Sequence, residues 1–218
     1  MLLDSTKFLS FFKQKFYFPL SNGSYFCDAT EKSVATESIK MVTDDKNIIA
    51  QVGENPEQGF RLLLAKYKEP VYWHIRRLVV THADAQDATQ ETFLRIFRFF
   101  DQYSAEKSFK AWIFRIATNE ALRLLSRNKN LGTVSLDDMP TLDLKADEFF
   151  DYDNAEAVGL QKAIRALPAK QQLAFNLRYY DEMSYEEIAE ATDSTAANVK
   201  ANYHLAKEKI IKLMNSND

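Results

Sequence analysis

Residues 84–97 read Asp84-Ala85-Gln86-Asp87-Ala88-Thr89-Gln90-Glu91-Thr92-Phe93-Leu94-Arg95-Ile96-Phe97. In a helix, Asp84, Asp87 and Glu91 fall at i, i+3 and i+7 and share one side. Phe93, Ile96, Phe97 and Phe100 obey the same spacing and form an apolar stripe. A helix from about Asp84 to Phe100 therefore carries both a buried seam and an acidic surface. The acids alone have several readings. They can be a docking surface for a basic partner, a solvated face, or a first turn matched to the helix dipole. A metal site is the weakest of these, because the only nearby histidine, His82, precedes the helix.

Working outward, residues 44–128 read as helices. Phe60, Leu63, Leu64 and Tyr67 set one apolar face, continued by Val71, Ile75 and Leu78. After the acidic helix, Asp101-Gln102-Tyr103-Ser104-Ala105-Glu106-Lys107-Ser108 is a polar loop, and Ser108 is placed to cap the next helix. Phe109, Trp112, Ile113, Ile116 and Ala117 supply that helix's buried side. Arg115, Asn119, Arg123 and Arg127 form a polar stripe at four-residue steps.

Residues 129–154 have no period. Asp137, Asp138, Asp143, Asp147, Glu148, Asp151 and Asp153 oppose only Lys129 and Lys145, which reads as an acidic tether extended by self-repulsion. Residues 155–214 are helical again. Ala163, Ile164 and Leu167 lead to Pro168, which suits the first turn of the next helix. Ser184-Tyr185-Glu186-Glu187 is a capping box, a turn follows at Thr192-Asp193-Ser194, and Thr195 can cap the last helix. In that helix Val199, Tyr203, Ala206, Ile210 and Leu213 form a buried stripe. Ala197, Ala201, His204 and Leu205 face outward. A short capped helix, a tight turn and a longer helix with an exposed polar start make a helix-turn-helix. Residues 1–43, rich in Phe, Tyr and Ser, show no sustained period and read as a disordered leader or an over-long start. The fold class expected is all-α: two small helical domains joined by a flexible acidic linker, the second a helix-turn-helix.

The totals narrow the function. The 218 residues suffice for one large or two small domains, and five Gly and five Pro argue against a turn-rich β fold. The net charge of −3 gives no global attraction to nucleic acid, so local charge decides. The single cysteine, Cys27, cannot form an internal disulfide and a reducing compartment fits. No apolar run nears the roughly 20 residues that span a bilayer, and the N-terminal region lacks a signal peptide's apolar core, so a cytoplasmic location is expected. His74 and His82 belong to no recognisable ligand or triad set. No Ser-His-Asp pattern, phosphate loop or zinc spacing appears, so neither an enzyme nor a cofactor is expected.

Two motifs sharpen this reading. Asp84-Ala85-Gln86-Asp87-Ala88-Thr89-Gln90-Glu91-Thr92-Phe93 resembles the acidic helix of bacterial sigma factors. Phe109-Lys110-Ala111-Trp112-Ile113-Phe114-Arg115-Ile116-Ala117-Thr118-Asn119 resembles the helix that follows it in those proteins. Leu167-Pro168, Tyr185-Glu186-Glu187-Ile188-Ala189 and Val199-Lys200 resemble their C-terminal helix-turn-helix. With only these two domains, the chain is similar over residues 45–214 to the extracytoplasmic function (ECF) subgroup of the sigma-70 family.

The resemblance implies a factor that binds core RNA polymerase and directs it to promoter DNA, with an anti-sigma factor as a further partner and no membrane insertion. It implies that residues 44–128 open the −10 element and residues 155–214 read the −35 element. The polymerase-binding residues implied are Asp84, Asp87, Gln90, Glu91 and Leu94, docking on the clamp helices of the largest subunit. The −10 residues implied are Tyr103, Lys107, Arg115, Asn119, Arg123 and Arg127. Tyr103 either stacks on a base or folds back on the core. Arg115, Arg123 and Arg127 either bind phosphate or pair with acids such as Glu120. The −35 residues implied are Thr195, Asn198, Lys200, Ala201 and His204. Asn202, Leu205 and Asp193 depart from the family, which usually has Arg, Arg and Gly there, so the phosphate grip is expected to be thin. A stand-alone helix-turn-helix regulator and a sigma-like adaptor without promoter activity remain as alternatives.

Overall fold

The computed structural model describes residues 44–79, 81–128 and 155–215, without the side chains of residues 128 and 155–158. The leader expected at 1–43 and the tether expected at 129–154 lie outside the described residues. Among the described residues the chain forms eight α-helices and one short 3-10 turn. The helices are α1 (Asp45–Glu54), α2 (Pro56–Arg76), α3 (His82–Phe99), α4 (Phe109–Asn128), α5 (Ala155–Arg165), α6 (Ala169–Tyr179), α7 (Tyr185–Thr192) and α8 (Ala196–Asn215). None of them is long and apolar enough to cross a membrane.

The chain divides after Lys66 into two compact units. In the first, α1 and the start of α2 form a helical hairpin around Asn55. Ile48, Val52, Phe60 and Leu63 are buried in it. Gly59 sets the spacing of this hairpin, because a Cβ there would lie 2.3 Å from the Val52 nitrogen. Lys66 Nζ donates to Asp45 Oδ1 at 2.8 Å across the same pair.

In the second unit α3 packs along α4, and α8 packs against α5, α6 and α7. Helix α3 starts two residues before the expected Asp84, because Thr81 takes the cap: its side chain accepts from the Asp84 N–H at 3.0 Å. Phe93 and Ile96 are buried as the periodicity requires, while Phe97 and Phe100 are half-buried. The C-terminal core gathers Ala163, Ile164, Leu167, Phe175, Ala206 and Ile210. Pro168 stands at the N-cap of α6, one position before the first turn expected for it. The Ser184 capping box is complete: Ser184 Oγ accepts from Glu187 N at 3.1 Å, and the Glu187 carboxylate accepts from Ser184 N at 2.8 Å. Asp193 ends α7 in the left-handed region at φ 54°, a conformation that glycine most often supplies at a helix end.

Sequence periodicity misses one feature of α4. Phe109, Ile113 and Ala117 are buried as expected, and Trp112 and Ile116 only partly. Phe114 and Thr118, on another face, are also buried. Both meet His74 of α2, whose ring lies 5.1 Å from Phe114 and whose Nε2 lies 2.9 Å from Thr118 Oγ1, and α7 also packs on α4. The helix-turn-helix is thus folded against the helix that carries the polar stripe.

Candidate functional site

Three sets of side chains were singled out by sequence. Their placement depends on α3, α4 and α8.

The acidic set lies along α3. Asp87 is exposed, and Gln90, Glu91 and Leu94 are half-buried. Asp84 sits in the first turn, where a carboxylate also complements the helix dipole. Asp87, Gln90, Glu91 and Leu94 line one wall of an open groove. The opposite wall is α4, contributing Glu120, Arg123, Leu124 and Arg127. The structure therefore brings part of the −10 set, Arg123 and Arg127, to the edge of the acidic face.

Within this groove Arg123 pairs with Glu120, one of the two fates open to it in the sequence. Its Nε and Nη2 donate to Glu120 Oε2 at 2.9 and 2.7 Å. Arg95 Nε lies against the other oxygen of Glu120. Arg95 carried no role in the sequence reading, and its i+4 spacing from Glu91 was the one signal for it.

Tyr103 takes the second of its two readings in this structure. It is half-buried, its ring lies 5.1 Å from Phe109 and 5.3 Å from Trp112, and its hydroxyl donates to the Lys107 carbonyl at 2.8 Å. Lys107 is exposed on the same loop, and Asn119 is exposed on α4. Arg115 lies 3.8 Å from Asp193 at the end of α7.

The packing of α7 on α4 is polar as well as apolar. Ser108 N donates to Glu190 Oε2 at 3.1 Å, and Ser108 Oγ donates to Glu187 Oε1 at 2.9 Å. Burial by itself raises the Glu187 carboxyl. The hydrogen bonds from Ser184 and Ser108, with Lys110 nearby, outweigh that and hold it below its ordinary value. Lys110 Nζ also donates to the Asp181 carbonyl.

Beneath this rim His74 is fully buried. Its Nδ1 is 3.1 Å from Asp181 Oδ2, and its Nε2 is 2.9 Å from Thr118 Oγ1. Arg77 Nη2 donates to the other Asp181 oxygen at 2.5 Å. Carboxylate, imidazole and hydroxyl thus stand in the order of a hydrolytic triad. Thr118 is 2% exposed and its hydroxyl donates to the Phe114 carbonyl at 2.8 Å, so no substrate reaches it. The trio is a structural pin. Sequence gave no signal for it, because His74 and Asp181 are 107 positions apart.

The third set lies on α8. Thr195 caps the helix by accepting from Asn198 N at 3.2 Å. Thr195, Asn198, Lys200, Ala201 and His204 are all exposed along its start, and Leu205 is 45% exposed beside them. Asn202 Nδ2 donates to the Asn198 carbonyl at 3.0 Å, which spends a donor on the helix itself. Among the described residues no group of three or more His, Cys, Asp or Glu side chains is arranged to hold a metal ion.

This arrangement matches known proteins in sequence and in fold. Sigma-70 region 2 matches residues 63–131, and Sigma-70, region 4 matches residues 158–210. The RNA polymerase sigma-H factor of Pseudomonas aeruginosa is 28% identical over 189 residues, covering 78% of this chain and 93% of its own. The ECF RNA polymerase sigma-E factor of Escherichia coli K12 is 26% identical over 176 residues, covering 76% of this chain and 92% of its own. Among solved structures, CnrH in complex with the cytosolic domain of CnrY superposes with a TM-score of 0.61 at 19% identity, covering 80% of this chain and 99% of that one. The sigma factor RpoE from Bartonella quintana, solved with the anti-sigma factor NepR, superposes with a TM-score of 0.55 at 20% identity, covering 73% of this chain and 98% of that one. Both regions occur in order in one chain, which disfavours a stand-alone regulator. The chain belongs to the sigma-70 family, as an ECF sigma factor, and is a non-enzymatic, promoter-directed transcription initiation factor.

Proposed function

We propose that the acidic face of α3 is the surface by which this factor docks on the clamp helices of core RNA polymerase. Asp84, Asp87, Gln90, Glu91 and Leu94 carry it. The observation that supports this reading is the groove itself: three of these polar groups and Leu94 line one wall of a concave surface. Carboxylates there attract a basic partner and speed its association.

The −10 element falls to the loop before α4 and to α4, through Lys107, Arg115, Asn119 and Arg127, with Tyr103 and Arg123 joining them only on leaving Trp112 and Glu120. Opening a duplex costs a few kcal/mol per unstacked base, and aromatic and cationic groups offset that cost. The −35 element falls to the exposed start of α8, through Thr195, Asn198, Lys200, Ala201 and His204. Asn suits adenine, and Lys suits phosphate or guanine. The working domains are residues 44–128 and 155–214, in a cytoplasmic protein. An anti-sigma partner is also proposed, because the Bartonella quintana factor described above was solved with the anti-sigma factor NepR.

The test is binding of the full chain to bacterial core polymerase, followed by run-off transcription on genomic fragments. Binding with new start sites is expected. Asp87→Lys combined with Glu91→Lys should abolish polymerase binding and leave helicity by circular dichroism unchanged. Normal binding by that double variant would sink the docking assignment.

A further inference from the structure

Where α3 meets α4, Glu91 and Glu120 do not share Arg95 and Arg123 evenly. Glu120 grips Arg123 at 2.7 and 2.9 Å and has Arg95 against its other oxygen. The same arginines reach Glu91 Oε1 only to 3.7 and 3.9 Å, outside hydrogen-bond range. Burial explains the asymmetry. The Glu120 side chain is 4% exposed and the Glu91 side chain 32%. A buried carboxylate has given up its water and needs paired cations, whereas a partly wet one keeps hydration. Fields are also less screened at the buried acid.

We infer that Glu120 is a positioning residue for polymerase binding: it captures Arg95 and Arg123 and so keeps the Glu91 carboxylate available to a cation on the polymerase. The inference rests on the docking reading of Glu91. With Glu120 present, both guanidinium groups have a stronger acid to satisfy. With Glu120 neutralised, Glu91 becomes the nearest carboxylate to both. A partner cation would then have to displace two internal arginines before it could pair. Glu120 therefore acts on docking without touching the polymerase.

The experiment measures the affinity of the full chain for bacterial core RNA polymerase at fixed moderate salt. Glu91→Gln is expected to weaken binding, which tests the docking reading by itself. Glu120→Gln, which keeps an oxygen acceptor for the arginines, is expected to weaken it by about tenfold, the loss of one charge-assisted contact. The double variant should bind no worse than Glu91→Gln alone. Adding Arg95→Gln to Glu120→Gln should recover part of the loss. Arg95→Gln alone, with Glu120 intact, should stay within about twofold of the parent, since that arginine is already held away from Glu91.

Three results would overturn the inference and leave the docking reading standing. One is parent-like affinity of Glu120→Gln while Glu91→Gln is weakened. Another is a Glu120→Gln loss that adds in full to that of Glu91→Gln, as a general change of field would. The third is a severalfold gain from Arg95→Gln alone, which also serves if Glu120→Gln fails to fold. Parent-like affinity of Glu91→Gln would overturn the docking reading and the inference together.

Discussion

Gly59 and Asp193 show how a single residue governs backbone placement. At Gly59 the hairpin of α1 and α2 closes so tightly that any Cβ would meet the backbone of Val52. Backbone cannot swing aside as a flexible side chain can. Gly59→Ala should destabilise the protein by about 1–3 kcal/mol, read as a lower midpoint in chemical denaturation. An unchanged midpoint would show that α1 does not sit this close to α2 in solution. Asp193 holds a left-handed conformation at the end of α7, one that glycine adopts without steric cost and that other residues rarely take.

At the scale of the element, the best-defined start in the chain is that of α7. Ser184 and Glu187 satisfy each other's backbone N–H groups, as the Ser-x-x-Glu spacing predicts. Ser184→Ala should cost about 1 kcal/mol of stability, visible as a drop in the melting temperature. The same glutamate also accepts from Ser108 of the loop before α4, so its charge serves two elements. Its carboxyl is held below its ordinary value of 4.5 when folded. Stability from it is therefore present above that value and lost as pH falls below it, because the unfolded chain takes up the proton first. Denaturation midpoints measured between about pH 3 and pH 7 should fall on the acid side. Glu187→Gln should flatten that limb. An identical acid profile in the variant would mean that other carboxylates dominate it. The seams of α3 and α8 follow their 3.6-residue period closely. The exceptions are Phe97, Phe100 and Tyr203, which are half-buried, and Leu213, which is exposed near the end of α8.

In the whole molecule the deciding contact is α7 on α4. It engages Ser108 through Glu187 and Glu190, and the loop before α7 brings the Asp181 carboxylate to His74 and the Asp181 carbonyl to Lys110. Removing one partner of a buried charged or polar pair leaves the other without compensation. His74→Ala and Asp181→Ala should each cost about 3–5 kcal/mol, and the pair should show a coupling energy of about 0.5–3 kcal/mol in a double-mutant cycle. A coupling near zero would show that α2 and the loop before α7 do not hold this arrangement in solution.

Sequence alone determined that the chain is helical, where α3, α4, α7 and α8 run, which caps start them, and which side of α3 is acidic. Those features are local: period, cap and charge are set by residues within a turn or two of each other. The family was legible for the same reason, since its motifs are short runs such as Asp84–Phe93 and Phe109–Asn119. Only the tertiary structure decided that Arg123 pairs with Glu120, that Tyr103 folds onto Phe109 and Trp112, and that His74 meets Asp181. Each of these choices had two chemically reasonable partners, or none in view, along the chain. Which one wins depends on how deeply helices bury a group once they pack, and burial between residues distant in sequence is written in no local pattern.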